Sequence, residues 1–237
     1  VTGKLNSNAR LLYQDSWTDA LYRSAPRTNL NFSVAGAGER SDYYLSFGYL
    51  NEQGTVINSE YKRYNVRLSL NTQATSWLNT GINMDGALSN QEGFVGGTAN
   101  LNPFFWTRQI GPIYPVYFRD ASGNKVVNPL TGEFELDWGT PDQMGARPFA
   151  GGSNLVGLLN LNERPNKIFN GNANAFAEIK FLKDFTFKTT FGINYATTYG
   201  TIFQNSQFGD AQGVGGRSAK TATRQVSYTL NEVLTWN

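Results

Sequence analysis

Histidine and cysteine occur nowhere in the 237 residues. Without histidine there is no Ser-His-Asp relay, no imidazole metal ligand and no imidazole general base, so an enzyme is not the expected class. Without cysteine there are no disulfide staples and no thiolate metal sites, although the compartment stays open because oxidising compartments also hold cysteine-free proteins. Long apolar runs are missing too. No stretch approaches the roughly 18 consecutive apolar residues of a membrane-spanning helix, and the mean hydropathy is -0.41. Charged residues make up only 16% of the chain, against roughly 25% in soluble domains. With 20 Lys and Arg against 18 Asp and Glu, the net charge of +2 argues against a nucleic-acid partner.

Aromatic residues are abundant, with 16 Phe, 12 Tyr and 5 Trp, and much of the apolar content is laid out in strict alternation. Tyr43, Leu45, Phe47 and Tyr49 take one parity, with small Ser46 and Gly48 between them. Tyr64, Val66, Leu68 and Leu70 alternate with Arg63, Asn65, Arg67, Ser69 and Asn71. Leu78, Ile82, Met84 and Leu88 oppose Asn79, Asn83 and Asp85. Phe185, Phe187, Phe191, Ile193 and Tyr195 oppose Thr186, Lys188, Thr190 and Asn194, a strand of about 11 residues, long enough to cross a bilayer at a tilt. Two segments fit less well: the one around Ile179 places Phe176 among polar residues, and the one from Val226 to Trp236 places Glu232 among apolar ones. Leu30, Phe32 and Val34 form a shorter first strand.

The connections alternate as well. Those near Gly36 to Ser41, Thr72 to Trp77 and at Lys183-Asp184 are short; those from Asn51 to Glu60, Asn90 to Lys167 and Thr197 to Thr223 are longer. In an up-and-down barrel this puts every short turn on one side and every long loop on the other, the asymmetry of bacterial outer-membrane barrels. The expected fold is therefore all-β: an antiparallel transmembrane β-barrel wall of about seven strands, inferred from the alternation pattern. Residues 1–27 make a loop or short helix before the first strand, and 28–237 a partial barrel with long extracellular loops over 90–167 and 197–223. Val1-Thr2-Gly3-Lys4 is neither an initiator Met nor a signal peptide, and Leu234 to Asn237 read as strand, so the chain is expected to be part of a longer protein.

Local signals mark the loops. Ser16-Trp17-Thr18-Asp19 has the form of a capping box and suggests a short helix or an irregular polar segment. Tyr114 to Phe118, the turn Asp120-Ala121-Ser122-Gly123-Asn124 and Lys125 to Val127 read as a hairpin, and Asn128 to Gly132 as a second turn leading into Glu133 to Trp138. A calcium loop at Asp120 fails, because Lys125 and Thr131 stand where Gly and Glu are needed. Gly213-Val214-Gly215-Gly216 lacks the Lys-Ser/Thr of a phosphate loop, and Leu155 breaks the nucleophile-elbow pattern after Ser153. Glu133, Glu135 and Asp137 share one face of an extended segment, where a solvated edge is preferred over a buried acid pair. No catalytic residue, metal ligand or cofactor is assigned.

The aromatic residues of the long loop have two readings. Trp106, Tyr114, Tyr117 and Trp138, beside Phe104, Phe105, Phe118 and Phe149 and close to Arg108 and Arg147, either grip a sugar or peptide or form a small core that stiffens the loop. Tyr43, Tyr49, Trp77, Tyr195 and Trp236 suit interfacial girdles.

The run Trp17-Thr18-Asp19-Ala20-Leu21-Tyr22-Arg23-Ser24-Ala25, the stretch NLNFSVAGAGERSDYYLSFGYLNEQGTVINSEYKRYNVRLSLN from Asn29 to Asn71, GPIYPVYFRDASGN from Gly111 to Asn124 and AEIKFLKDFTFKTTFGINY from Ala177 to Tyr195 resemble the early barrel of SusC/RagA-type TonB-dependent transporters. The resemblance implies a plugged outer-membrane barrel of about 22 strands, with the plug outside this chain. It also implies a SusD-like surface lipoprotein as lid, contact with the TonB complex through the missing N-terminal part, and import of a glycan or peptide. Pro112 to Tyr117 belongs to that resemblance and suits loop architecture or lid contact. A passive outer-membrane porin and a soluble carbohydrate-binding β-domain are the alternatives.

Overall fold

Alternation of the kind described above buries one side of a strand in one medium and leaves the other in another. The computed structural model describes residues 7–94, 101–143 and 145–236. The chain-end residues Val1 to Lys4 and Asn237, and part of the loop expected over 90–167, lie outside the described residues. Seven strands form one antiparallel sheet in sequence order: β1 (Arg27–Ala37), β2 (Ser41–Gln53), β3 (Glu60–Gln73), β4 (Leu78–Glu92), β5 (Pro165–Phe181), β6 (Phe185–Gln204) and β7 (Arg217–Trp236). Among the described residues three short α-helices lie outside the sheet: α1 (Trp17–Leu21) before β1, and α2 (Pro103–Gln109) and α3 (Leu155–Leu161) between β4 and β5. No helix among the described residues is long and apolar enough to cross a membrane, which says nothing about strands.

The register joins the alternating segments into a single face. Val34, Leu45, Leu68, Met84, Ala173, Ile193 and Tyr228 are consecutive partners across all seven strands, and the neighbouring row runs Phe32, Phe47, Val66, Gly86, Gly171, Tyr195 and Val226. These side chains are not packed away: Phe32 is 69% exposed, Val66 50% and Tyr228 66%. A sheet this apolar on one face, with that face open, matches the lipid-facing side of a barrel and not a soluble sandwich. The opposite face is polar, with row partners Ser33, Ser46, Arg67, Asp85, Asn172, Asn194 and Ser227.

Aromatic rings frame the apolar band. Tyr49 and Tyr64 pair at 5.1 Å and Phe169 and Tyr195 at 6.0 Å near the long-loop end, while Phe181 and Phe185 pair at 5.7 Å near the short turns. The two irregular positions have distinct surroundings. Phe176 points to the polar side because its partner there is Gly81, whose absent Cβ would stand 2.5 Å from the Phe176 ring; the Lys188 ammonium lies 4.9 Å from the same ring. Glu232 sits in a row of small residues with Thr189, Ala177 and Thr80.

Several bounds differ from those expected. The first strand is 11 residues long, and β6 and β7 are 20 residues each. The connection between them is therefore 205–216 and not 197–223. Thr197 to Gln204 pair with Arg224 to Arg217, and alternation does not report this part of the strand because the adjacent Ile202 and Phe203 fall on opposite faces. Short connections at 38–40, 74–77 and 182–184 lie at one end of the sheet and long ones at the other.

Candidate functional site

The buried core of this chain lies outside the sheet. Trp17, Leu21, Val56, Leu101, Trp106, Ile110, Val116, Trp138, Leu155, Leu158 and Leu159 form one cluster, all of them in the connections at the long-loop end. Four chain segments meet there: 7–26, the β2–β3 loop, the β4–β5 loop and the β6–β7 loop. The last contributes Phe208, stacked on Trp138 at 3.6 Å and 7°. A long connection needs its own core to hold a shape, and this cluster supplies it.

Local capping sets the helices. Ser16 accepts the Asp19 N–H at 3.1 Å and so caps the start of α1. Asn102 accepts from Phe104 at 2.9 Å to start α2. Asn154, fully buried, caps α3 through Val156 at 3.1 Å and Gly157 at 3.3 Å, and its amide donates to the carbonyls of Val116 at 2.8 Å and Asp137 at 2.9 Å. One side chain thereby joins α3 to two extended segments. Gly157 is required beside it, since a Cβ there would stand 2.5 Å from the Trp138 ring.

The expected hairpins are present. Phe118 N–H donates to Glu135 at 2.8 Å, and Val126 N–H donates to Phe118 at 3.0 Å. In the first turn Asp120 accepts Ser122 N–H at 2.9 Å, Asn124 N–H at 2.8 Å and the Asn124 amide at 3.1 Å. The Asn124 side chain first, then the backbone N–H groups, hold the Asp120 carboxyl below its usual range. These donors converge on the carboxylate as turn bonds. Gly215 and Gly216, with φ of 73° and 95°, end the 3-10 helix Gly209–Val214.

Asp137 departs from the expected solvated edge. It is 1% exposed, while Glu133 on the same stretch is open to solvent. Burial raises its carboxyl above the usual range, opposed by the Gly139 N–H and by Arg147. Its Oδ1 accepts Gly139 N–H at 3.0 Å, and the chain folds back over it at Trp138 and Arg147, a closure that two-residue spacing does not reveal. Burial lowers Arg147 in turn, with Asp137 acting against the shift. Arg147 donates from Nη2 to the carbonyls of Asp137, at 3.3 Å, and of Ser153.

The six contact candidates therefore divide. Trp106, Trp138 and Arg147 are buried within the loop body and frame it. Tyr114 and Tyr117 are half-buried; the Tyr114 carbonyl accepts Trp17 Nε1 at 2.9 Å, and the Tyr117 ring carries the Lys125 ammonium at 3.9 Å. Arg108 is exposed on α2, together with Phe104 and Phe105. The polar sheet face adds residues that were not singled out as a site. Arg63, Arg67, Asn65 and Asp85 line a recess of about 590 Å³, and Asn172 Nδ2 donates to Asp85 at 2.9 Å. Their signal in the sequence was the recurring Asn at inward parity.

A lipid-facing apolar band, a polar opposite face and one structured loop end define the wall of a transmembrane β-barrel. No family model matches the chain. It is 26% identical over 227 residues to TonB-dependent receptor P3 of Formosa agariphila, covering 93% of the chain and 21% of that protein. It is likewise 26% identical over 209 residues to TonB-dependent receptor SusC of Bacteroides thetaiotaomicron, covering 82% and 19%. The chain thus spans about a fifth of these relatives. In fold it matches the RagAB peptide importer in its closed-closed state, with a TM-score of 0.67 at 20% identity over 94% of this chain and 23% of the other, and in its open-open state with 0.66. The chain is similar to SusC-type TonB-dependent receptors in sequence and to RagAB in fold, as the resemblance in its residues implied.

Proposed function

We propose that this chain forms part of the wall and the outer mouth of a TonB-dependent importer in the bacterial outer membrane, which takes up an oligomeric nutrient, a peptide or glycan, beneath a SusD-like lipoprotein lid. The observation that carries this reading is the inversion of packing: the only core cluster found among the described residues is in the loops, while the apolar residues of the sheet stay open on one face. That suits a wall in lipid with a rigid mouth in water.

Within the mouth, Phe104, Phe105 and Arg108 on α2 supply exposed aromatic faces and a guanidinium, the groups that stack on rings and hydrogen-bond to carbonyls or hydroxyls. Tyr114 and Tyr117 are partly open, and Trp106, Trp138 and Arg147 keep the frame rigid. Plug and TonB contact belong to other parts of the importer. The test is purification of the full-length protein from outer membranes. A heat-modifiable barrel that copurifies with a surface lipoprotein, and uptake that stops when TonB is deleted, support the proposal. Uptake that continues without TonB would favour a porin.

A further inference from the structure

The outward face of the sheet is not uniformly filled. Where the apolar band crosses β4 and β5 the row partners are Gly86 and Gly171, and above them lies a groove of about 670 Å³. Tyr64, Leu88, Phe169, Tyr195 and Met84 stand around it. A Cβ on Gly86 would meet only the Asn170 carbonyl at 3.8 Å and Val66 at 3.9 Å, so the space over it is open.

Basic residues lie where the apolar band ends beside this groove. Lys167 precedes Phe169 by two positions on the same face, and Arg224 is the partner of Thr197, itself the partner of Phe169. Lys220 follows on the same face of β7. All three are exposed. Lys62 shares the row of Lys167 but is held by Glu60 at 2.7 Å. Glu60 and Glu92 stand on the β3–β4 side, where Glu92 lies in the field of Lys167, while Arg224 and Lys220 occupy the β7 side. Resting on the barrel reading, we propose that the groove and this edge bind one anionic, phosphate-bearing lipid, an acyl chain lying over Gly86 beside the Phe169 ring that covers Gly171, and the phosphate meeting Lys167 and Arg224. The pairing of an apolar trough with cations at one end only is complementary to such a lipid. A second copy of the chain is a poorer occupant, because a two-fold contact through this face would set like charges against each other.

The test uses the full-length receptor, purified in detergent and examined by native mass spectrometry with dimyristoyl phosphatidylglycerol and dimyristoyl phosphatidylcholine. Preferential retention of the anionic lipid is expected, with the preference reduced about fivefold for each of Lys167→Gln and Arg224→Gln. Gly86→Leu, which fills the trough, should lower retention of both lipids. Equal retention of the two lipids, a preference that survives both charge substitutions, or a lipid-free dimer through this face would overturn the proposal. Folding is followed by heat-modifiable mobility, and the rim substitutions carry the test if Gly86→Leu does not assemble. Recovery of the native protein without detergent would defeat the barrel reading itself; an intact barrel lacking the preference defeats only the lipid site.

Discussion

Asp15 and Arg119, 104 positions apart in the chain, meet as an ion pair with side chains only 8% and 10% exposed. Asp15 also accepts Val116 N–H at 2.8 Å, and Arg119 donates to the Gly123 carbonyl at 2.9 Å. With Trp17 Nε1 on the Tyr114 carbonyl and the Tyr13 hydroxyl on that of Ile113 at 2.6 Å, the segment before β1 is fastened to a hairpin in the β4–β5 loop.

Breaking that pair should loosen the loop body and leave the wall intact. Asp15→Ala strands a buried guanidinium, a change that costs about 3 to 5 kcal/mol when one partner is lost. Hydrogen exchange at Val116 and Tyr117 is expected to accelerate while β2 and β3 keep their protection. Unchanged exchange at those two amides would show that the pair contributes nothing.

The lipid and lumen faces should differ in their tolerance of charge. Leu68 faces outward between Leu45 and Met84, and its neighbour Ser69 faces inward between Tyr44 and Asn83. Leu68→Arg should weaken assembly by about 2 to 4 kcal/mol near the midplane, and Ser69→Arg much less. The heat-modifiable folded fraction measures both, and equal losses would reverse the assignment of faces.

Exposed and buried aromatics of α2 should separate contact from framework. Phe104→Ala and Arg108→Ala are expected to reduce lipoprotein copurification while the loop body keeps its protease resistance. Trp106→Ala removes a fully buried indole, a loss of about 3 to 5 kcal/mol, and should expose the loops to cleavage. Loss of resistance in all three variants would make Phe104 and Arg108 structural.

The Asp120 turn should respond to acid in one direction. Its carboxyl sits below the usual value because Asn124 and the turn amides favour the charged form. A depressed carboxyl contributes stability that is present above the unfolded value, 3.8, and is lost as pH falls through the folded value. Exchange of the Ser122 and Asn124 amides, corrected for intrinsic rate, should therefore rise only on acidification below about 4. Asp120→Asn should abolish that dependence.

Much of the wall was legible residue by residue. Leu68 and Arg67 announce opposite faces because a strand has a period of two and lipid and lumen differ in polarity. Thr197 to Gln204 escape that signal because Ile202 and Phe203 are adjacent and put apolar side chains on both faces. The hairpin at Asp120 and the cap at Ser16 were visible because each is closed by residues within four positions.

The sequence alone determined the medium on each side of the strands that alternate cleanly, and with it a barrel wall with short turns at one end. Only the tertiary structure decided that Trp106, Trp138 and Arg147 are interior, that Asp137 is buried, and that Asp15 reaches Arg119. Burial of a loop residue depends on which distant segments fold over it, and no local period records that. Gly86 and Gly171 make the same point, since a register between strands far apart in the chain places two unremarkable glycines side by side in one trough.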